Sequence, residues 1–195
     1  MRMLLYIFIS ISFYSCDLFQ TRTPEEPDIS GTGYIPPTSY DIVIENLKNS
    51  IKEKNLNNYL LCLSDSSTSG LTDFIYIADP QSMAQFQVLF SEWYRRNEEK
   101  YFTSMVASIL DETNPNVNFT DVEYQNFNDS IIFTANYYLN IEFTNDLSDR
   151  NYSGNTRIVL KNSSSGFWYI TSWYDFQSDN KSLYSWSYLK SKYYY

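Results

Sequence analysis

Every second residue between positions 131 and 143 is apolar or aromatic: Ile131, Phe133, Ala135, Tyr137, Leu139, Ile141 and Phe143. Thr134, Asn136, Asn140 and Glu142 stand among the positions between them. A period of two belongs to a strand with one buried and one wetter face, so the segment predicts one long β-strand whose apolar face needs a covering layer. Shorter runs of the same kind at 117–125, 156–161 and 167–176 predict further strands, separated by Asn/Asp/Ser/Gly segments such as 126–129 and 162–166. Strands joined by short polar turns pair antiparallel, because a parallel crossover needs a dozen or more residues.

Upstream the period is 3.6. Ile44, Leu47 and Ile51 recur at helical spacing, with Lys48, Lys52, Glu53 and Lys54 filling much of the opposite side. Thr38 and Ser39 offer N-cap hydroxyls just after Pro36-Pro37, so one amphipathic helix is expected over 40–54. A shorter helix is expected over 56–63, a loop over 64–70, and a short β-type run at 74–77 ended by Asp79-Pro80. Phe86, Phe90, Trp93 or Tyr94, Tyr101, Met105 and Ile109 predict two helices or one bent helix across 83–110. The fold class expected is α+β: N-terminal helices packed on an antiparallel sheet.

The first fifteen residues place Arg2 ahead of an apolar run that stops at Cys16 and gives way to Asp17, Gln20 and Arg22. This is the plan of a secretory signal, and the run is shorter than the roughly 20 apolar residues of a spanning helix. Phe13-Tyr14-Ser15-Cys16 resembles a lipobox, the site where a bacterial lipoprotein's cysteine receives a diacylglyceryl thioether. Ser15 and Cys16 fit it, while Phe13 replaces the usual leucine and Tyr14 is bulkier than the usual small residue. The alternative is an ordinary cleaved signal with an incidental cysteine. Residues 17–38 hold four of the six prolines and two of the five glycines, the composition of a tether. The expected organisation is a signal peptide over 1–15, a flexible tether over 16–38 and a single domain over 39–192. The expected location is the bacterial cell envelope, outer membrane or periplasmic face, with the membrane reached through acyl chains on Cys16.

The formal charge is −9, and losing Arg2 with the signal makes it −10. Such a surface repels phosphate backbones and anionic lipid heads, which excludes nucleic acid as an expected partner. Histidine is absent, which counts against zinc-hydrolase, Cys/His and Ser/His/Asp chemistry together. A lipidated Cys16 leaves Cys62 as the one other cysteine, so no internal disulfide is expected; within Tyr59-Leu60-Leu61-Cys62-Leu63 it reads as a small buried hydrophobe.

Three features together resemble the nuclear transport factor 2-like (SnoaL-like) superfamily. They are the helical stretch 40–63 ending in Tyr59-Leu60-Leu61; the run Phe74-Ile75-Tyr76-Ile77 followed by a helix bearing Trp93 and Glu98 or Glu99; and the closing Gly166-Phe167-Trp168-Tyr169-Ile170-Thr171-Ser172-Trp173-Tyr174-Asp175, followed by Ser185-Trp186-Ser187-Tyr188-Leu189-Lys190. The resemblance covers roughly residues 38–192. It implies a strongly curved sheet wrapped around helices as a cone, as in uncharacterised envelope lipoproteins that carry such a cone after a proline-rich tether. Another α+β or cystatin-like arrangement is the alternative.

A cone can hold a ligand on its concave face, and the expected pocket lining is Tyr137, Trp168, Trp173 and Asp175. Strict alternation puts Trp168 and Trp173 on opposite faces unless a bulge intervenes at Thr171-Ser172. Catalytic members of the superfamily use buried Asp/Tyr or His/Asp pairs to move protons. Without histidine only Asp175 with Tyr137 or Tyr169 remains, and an apolar pocket would raise the carboxyl pKa toward neutrality. The expectation is non-enzymatic binding of a small amphipathic ligand or an envelope protein, with no cofactor and no metal. The alternatives are a proton-transfer enzyme of the isomerase or dehydratase type and a glycan-binding module. The glycan reading rests on the 18% aromatic content, which AT-rich coding bias would also produce. Residues 145–149 are read as a solvated hairpin turn, lacking the ligand pattern of an EF-hand, and Tyr193-Tyr194-Tyr195 as an adhesive or frayed tail.

Overall fold

Helix α1 (Tyr40–Lys52) buries Val43, Ile44, Leu47 and Ile51 along one stripe, the spacing the sequence predicts. The computed structural model describes residues 33–144, 151–178 and 183–195; the signal, Cys16, most of the tether and the 145–149 segment lie outside them. Asn46 is also buried on α1, and its amide is used twice: Oδ1 accepts from the Ile35 amide at 3.0 Å and Nδ2 donates to the Ile35 carbonyl at 2.6 Å. The Pro37 carbonyl accepts from Trp168 N at 2.8 Å. Residues 35–37, assigned to the tether on composition, are thus held against the domain, because one buried asparagine needed partners and their backbone supplied them.

Helix α2 (Leu56–Leu61) starts at Asn55, whose side chain accepts from Asn58 N. The expected loop at 64–70 contains a one-turn helix, α3 (Ser66–Ser69), capped by Asp65 and closed by Gly70 at φ 69°. After β1 (Ile75–Ile77), Asp79 caps α4 (Pro80–Gln85) through Gln81 N and Ser82 N. Helices α5 (Gln87–Phe90) and α6 (Arg95–Ser108) follow, and α6 buries Glu98, Tyr101, Phe102 and Met105 on one face.

The sheet is formed by β1, β2 (Asn116–Asn126), β3 (Ser130–Asn140), β4 (Asn151–Asn162) and β5 (Trp168–Gln177), in the order β1-β5-β4-β3-β2. Four strands pair antiparallel in chain order, as the turn lengths require. The fifth departs from the expectation: β1 lies parallel to β5, with Ile75 opposite Ser172 and Ile77 opposite Tyr174. The connection between them runs through α4–α6 and three strands, so no hairpin constrains its direction. The sheet is therefore mixed. Two irregularities increase its bend. One lies between Thr120 and Glu123 on β2, with Asp121 at φ 50°. The other skips Thr171 on β5, where Val159 pairs with Ser172 and Leu160 with Ile170.

A helix absent from the sequence expectation, α7 (Trp186–Lys192), follows the last strand. Its residues pack into the concavity, where Trp186 and Leu189 join Leu47, Tyr59, Phe102, Met105, Phe133, Leu139, Ile158 and Trp173 in one core. Among the described residues, no helix is long and apolar enough to cross a membrane.

Candidate functional site

Tyr137 of β3 and Asp175 of β5 are separated by β4, yet they are hydrogen-bonded. The phenol donates to Asp175 Oδ1 at 2.7 Å, reaching across the strand between them at Gly154, its cross-strand partner. The other carboxylate oxygen, Oδ2, accepts from the Ser187 amide at 2.7 Å and the Ser187 hydroxyl at 2.5 Å. Trp186 N donates to the Tyr137 oxygen at 2.7 Å, so the start of α7 is docked on both members of the pair. The network continues to β1 and α4. Tyr76 Oη lies 2.9 Å from Ser187 Oγ, Asp79 N donates to the same hydroxyl, and Ser185 Oγ donates to Asp79 Oδ2 at 2.6 Å. Asp175 is 1% exposed. Burial pushes its carboxyl up to about 6, against the opposing pull of the hydrogen bonds from Ser187 and Tyr137. Burial, and then the Asp175 charge, hold the Tyr137 phenol well above its ordinary range.

A second buried constellation lies beside the first. Glu98 of α6 and Lys190 of α7 form an ion pair with both side chains fully buried. Glu98 also accepts from Tyr59 Oη and from Trp93 Nε1, each at 2.7 Å. The Lys190 ammonium stands 4.4 Å from the Tyr76 ring centroid, 4.5 Å from Tyr101, 5.0 Å from Trp173 and 5.6 Å from Trp93. Four π faces and one carboxylate thus replace its water. Burial pulls the Lys190 pKa down, and Glu98 opposes that pull.

The structure brings together three of the four residues expected to line a pocket. Tyr137, Trp173 and Asp175 meet around Trp186, whose ring lies 5.3 Å from Tyr137 and 4.7 Å from Trp173. Trp168 is not with them. The skipped Thr171 puts it on the same face of β5, but at the far end of the strand, where its ring meets Tyr40 edge-on at 5.7 Å. Tyr169, the other partner considered for Asp175, alternates to the opposite face. Sequence reasoning missed the roles of Trp186, Ser187, Glu98 and Lys190. A signal existed for Glu98, since it falls on the apolar face of α6 beside Tyr101, Phe102 and Met105, where a charge demands a partner.

Cys62 is buried, with its thiol pKa raised by burial and its sulfur donating to the Asn58 carbonyl at 3.3 Å. Tyr193 and Tyr194, read from sequence as adhesive or frayed, are docked instead: Tyr193 stacks on Phe143, and Tyr194 packs on Trp93 and accepts from Asn97. No group of three His, Cys, Asp or Glu side chains is placed to hold a metal among the described residues.

Neither a family model nor a curated protein matches this sequence. Solved structures do match in shape. A NTF2-like protein from Cytophaga hutchinsonii superposes with a TM-score of 0.51 at 12% identity, over 70% of this chain and 93% of that one. A proposed dehydratase of the NTF2-like family from Streptomyces avermitilis gives 0.52 at 10% identity, over 71% and 93%. An NTF2-like superfamily protein from Salmonella enterica serovar Typhimurium gives 0.51 at 10%, over 71% and 88%. The fold is the NTF2-like cone. At these identities the likeness is one of architecture. In this NTF2-like cone the concave side is filled by α7, and the Asp175–Tyr137 pair has no face open to solvent.

Proposed function

We propose that this chain is an envelope lipoprotein whose NTF2-like domain acts by binding, not by catalysis, and binds through its outer surface. One observation carries the reading: Asp175 and Tyr137 are buried beneath α7, and their hydrogen bonds run to each other, to Ser187 and to Trp186, so the pair is closed off from a substrate hydroxyl or carbonyl. The cone interior, where a small amphipathic ligand was expected, is occupied by Trp186, Ser187, Leu189 and Lys190. The signal plan and Cys16 support an acyl anchor, and the charge of −9 disfavours a polyanionic partner.

The competing reading is a proton-transfer enzyme of the isomerase or dehydratase type. A carboxyl titrating near 6 beside a tyrosine favours it, as does the presence of a proposed dehydratase among proteins of this fold. Incubating the purified full-length protein with enolisable ketones and β-hydroxy carbonyl compounds separates the two. No turnover above that of Asp175→Asn is expected, and turnover abolished by that substitution would overturn the binding reading. The glycan-binding alternative finds no stacking surface at Trp173, which is 0% exposed.

A further inference from the structure

Resting on the reading of this domain as a binding module, we infer that the convex face of the sheet holds a site for a neutral oligosaccharide. On β2, β3, β4 and β5 the register sets Asn136 opposite Asn155 and Asn155 opposite Phe176, and Asp121 closes the row. Asn155 Nδ2 donates to Asn136 Oδ1, and Asn136 Nδ2 donates to Asp121 Oδ2 at 2.6 Å. One row along, Thr134 faces Arg157 and Arg157 faces Tyr174, with the guanidinium 4.3 Å above the Tyr174 ring. Asp121, Thr134, Asn136, Asn155, Arg157 and Phe176 line a shallow depression of about 310 Å³, at the lower end of the ~300–1,000 Å³ typical of small-molecule sites.

The chemistry of this face selects the occupant. Phe176 is 40% exposed and borders the depression, giving a flat apolar surface at the end of a row of amides. Asparagine is disfavoured in strand interiors, yet Asn136 and Asn155 stand opposite each other there, and with Asp121 at the β2 irregularity they offer amide and carboxylate groups on the solvent side of the sheet. An apolar partner would strip those groups of water without replacing the bonds, at a cost. A polyanion would meet Asp121 and the chain's net negative charge. A neutral sugar satisfies both halves: its hydroxyls exchange hydrogen bonds with Asn136, Asn155, Asp121 and Arg157, and its C–H face lies on Phe176.

Position agrees. Residues 34–37 are held on the domain, with Pro37 beside Trp168. Phe176 lies further along β5, and the β4 residues paired with the two, Asn162 and Asn155, are seven apart, about 23 Å at the rise of a strand. The depression thus lies across the middle of β2, β3 and β4 and near the C-terminal end of β5, away from Pro37 and Trp168.

The experiment is an array of neutral hexose and N-acetylhexosamine oligosaccharides probed with the full-length protein in detergent, followed by calorimetry with the strongest ligand. Binding to at least one neutral oligosaccharide is expected, weakened at least tenfold by Phe176→Ala and by Asn155→Ala, retained by Phe176→Trp, and unchanged by Val88→Ser, which alters a side chain 92% exposed on α5. A blank array overturns the inference, and so does binding that survives Phe176→Ala together with Asn155→Ala. A dimer in sedimentation that dissociates on Arg157→Glu, without sugar binding, would assign the face to a second copy of the chain and also overturn it. A blank array leaves the binding-versus-catalysis question where it stands, because that is decided by the turnover assay on Asp175→Asn.

Discussion

Tyr137 and Gly154 are cross-strand partners, and the phenol of the first fills the space where a side chain of the second would stand. A Cβ at position 154 would lie 2.6 Å from Tyr137 Oη, 2.8 Å from its Cζ and 2.2 Å from the Phe176 carbonyl oxygen. The missing methyl is what lets a hydroxyl on β3 reach a carboxylate on β5. Backbone cannot withdraw as a flexible side chain can, so Gly154→Ala should cost about 1–3 kcal/mol or somewhat more. Urea unfolding should show a lower midpoint at unchanged slope. An unaltered midpoint would mean that the strands relax around the methyl group.

Lys190→Met should destabilise the protein by about 3–5 kcal/mol, because it leaves the Glu98 charge buried with only Tyr59 and Trp93 as donors. The double variant Lys190→Met, Glu98→Gln should recover most of that loss, since a neutral amide keeps an acceptor for those donors. A double-mutant cycle in urea measures the coupling. If the two losses simply add, the pair is not held together by its charges.

Asp175 makes stability depend on pH in a defined direction. Its folded pKa of about 6 lies above the unfolded value of about 3.9. The fold thus favours the protonated form, and the contribution is fully present below pH 4 and lost as pH rises through 6. The span of about two pH units corresponds to up to about 3 kcal/mol. Asp175→Asn cannot titrate, so the stability of the native protein relative to this variant should fall between pH 4 and 7. A difference that stays flat over that range would place the carboxyl pKa at its ordinary value.

Acyl attachment at Cys16 should make the protein partition into detergent and resist a salt wash, as each buried CH₂ contributes about 0.8 kcal/mol that ions do not screen. Cys16→Ser should yield an uncut precursor or a soluble product cut elsewhere. Mass spectrometry of the mature N-terminus is the direct measurement, and an unmodified terminus at another residue would remove the anchor.

Much of the architecture was legible because it is written in short-range periodicity. The alternation from Ile131 gives β3, the 3.6 spacing of Ile44, Leu47 and Ile51 gives α1, and the polar turns give the antiparallel order of β2–β5. The parallel partnership of β1 was not legible, because three hydrogen-bonded residues carry no information about a strand a hundred positions away. Nor was α7. Seven residues hold too few turns for a period, and Ser187 and Lys190 look like surface residues until Asp175 and Glu98 are known to await them. The placement of Trp168 turned on whether Thr171 would be skipped, and the skip depends on how β4 and β5 twist together, which neither strand specifies alone. The convex row Asp121–Asn136–Asn155 was equally hidden, since its members become neighbours only through strand register.

The position of α7 in the chain has a consequence for biogenesis. Protein synthesis runs from N- to C-terminus, so every strand leaves the ribosome before the segment that neutralises Glu98 and bonds Asp175. Until that segment emerges, Glu98 lacks its cation and Asp175 lacks both Ser187 donors, among tryptophan and tyrosine rings that α7 has yet to cover. The cone is consequently a structure that closes after translation of its strands is complete, and a chain truncated before Ser185 should remain a substrate for chaperones and proteases.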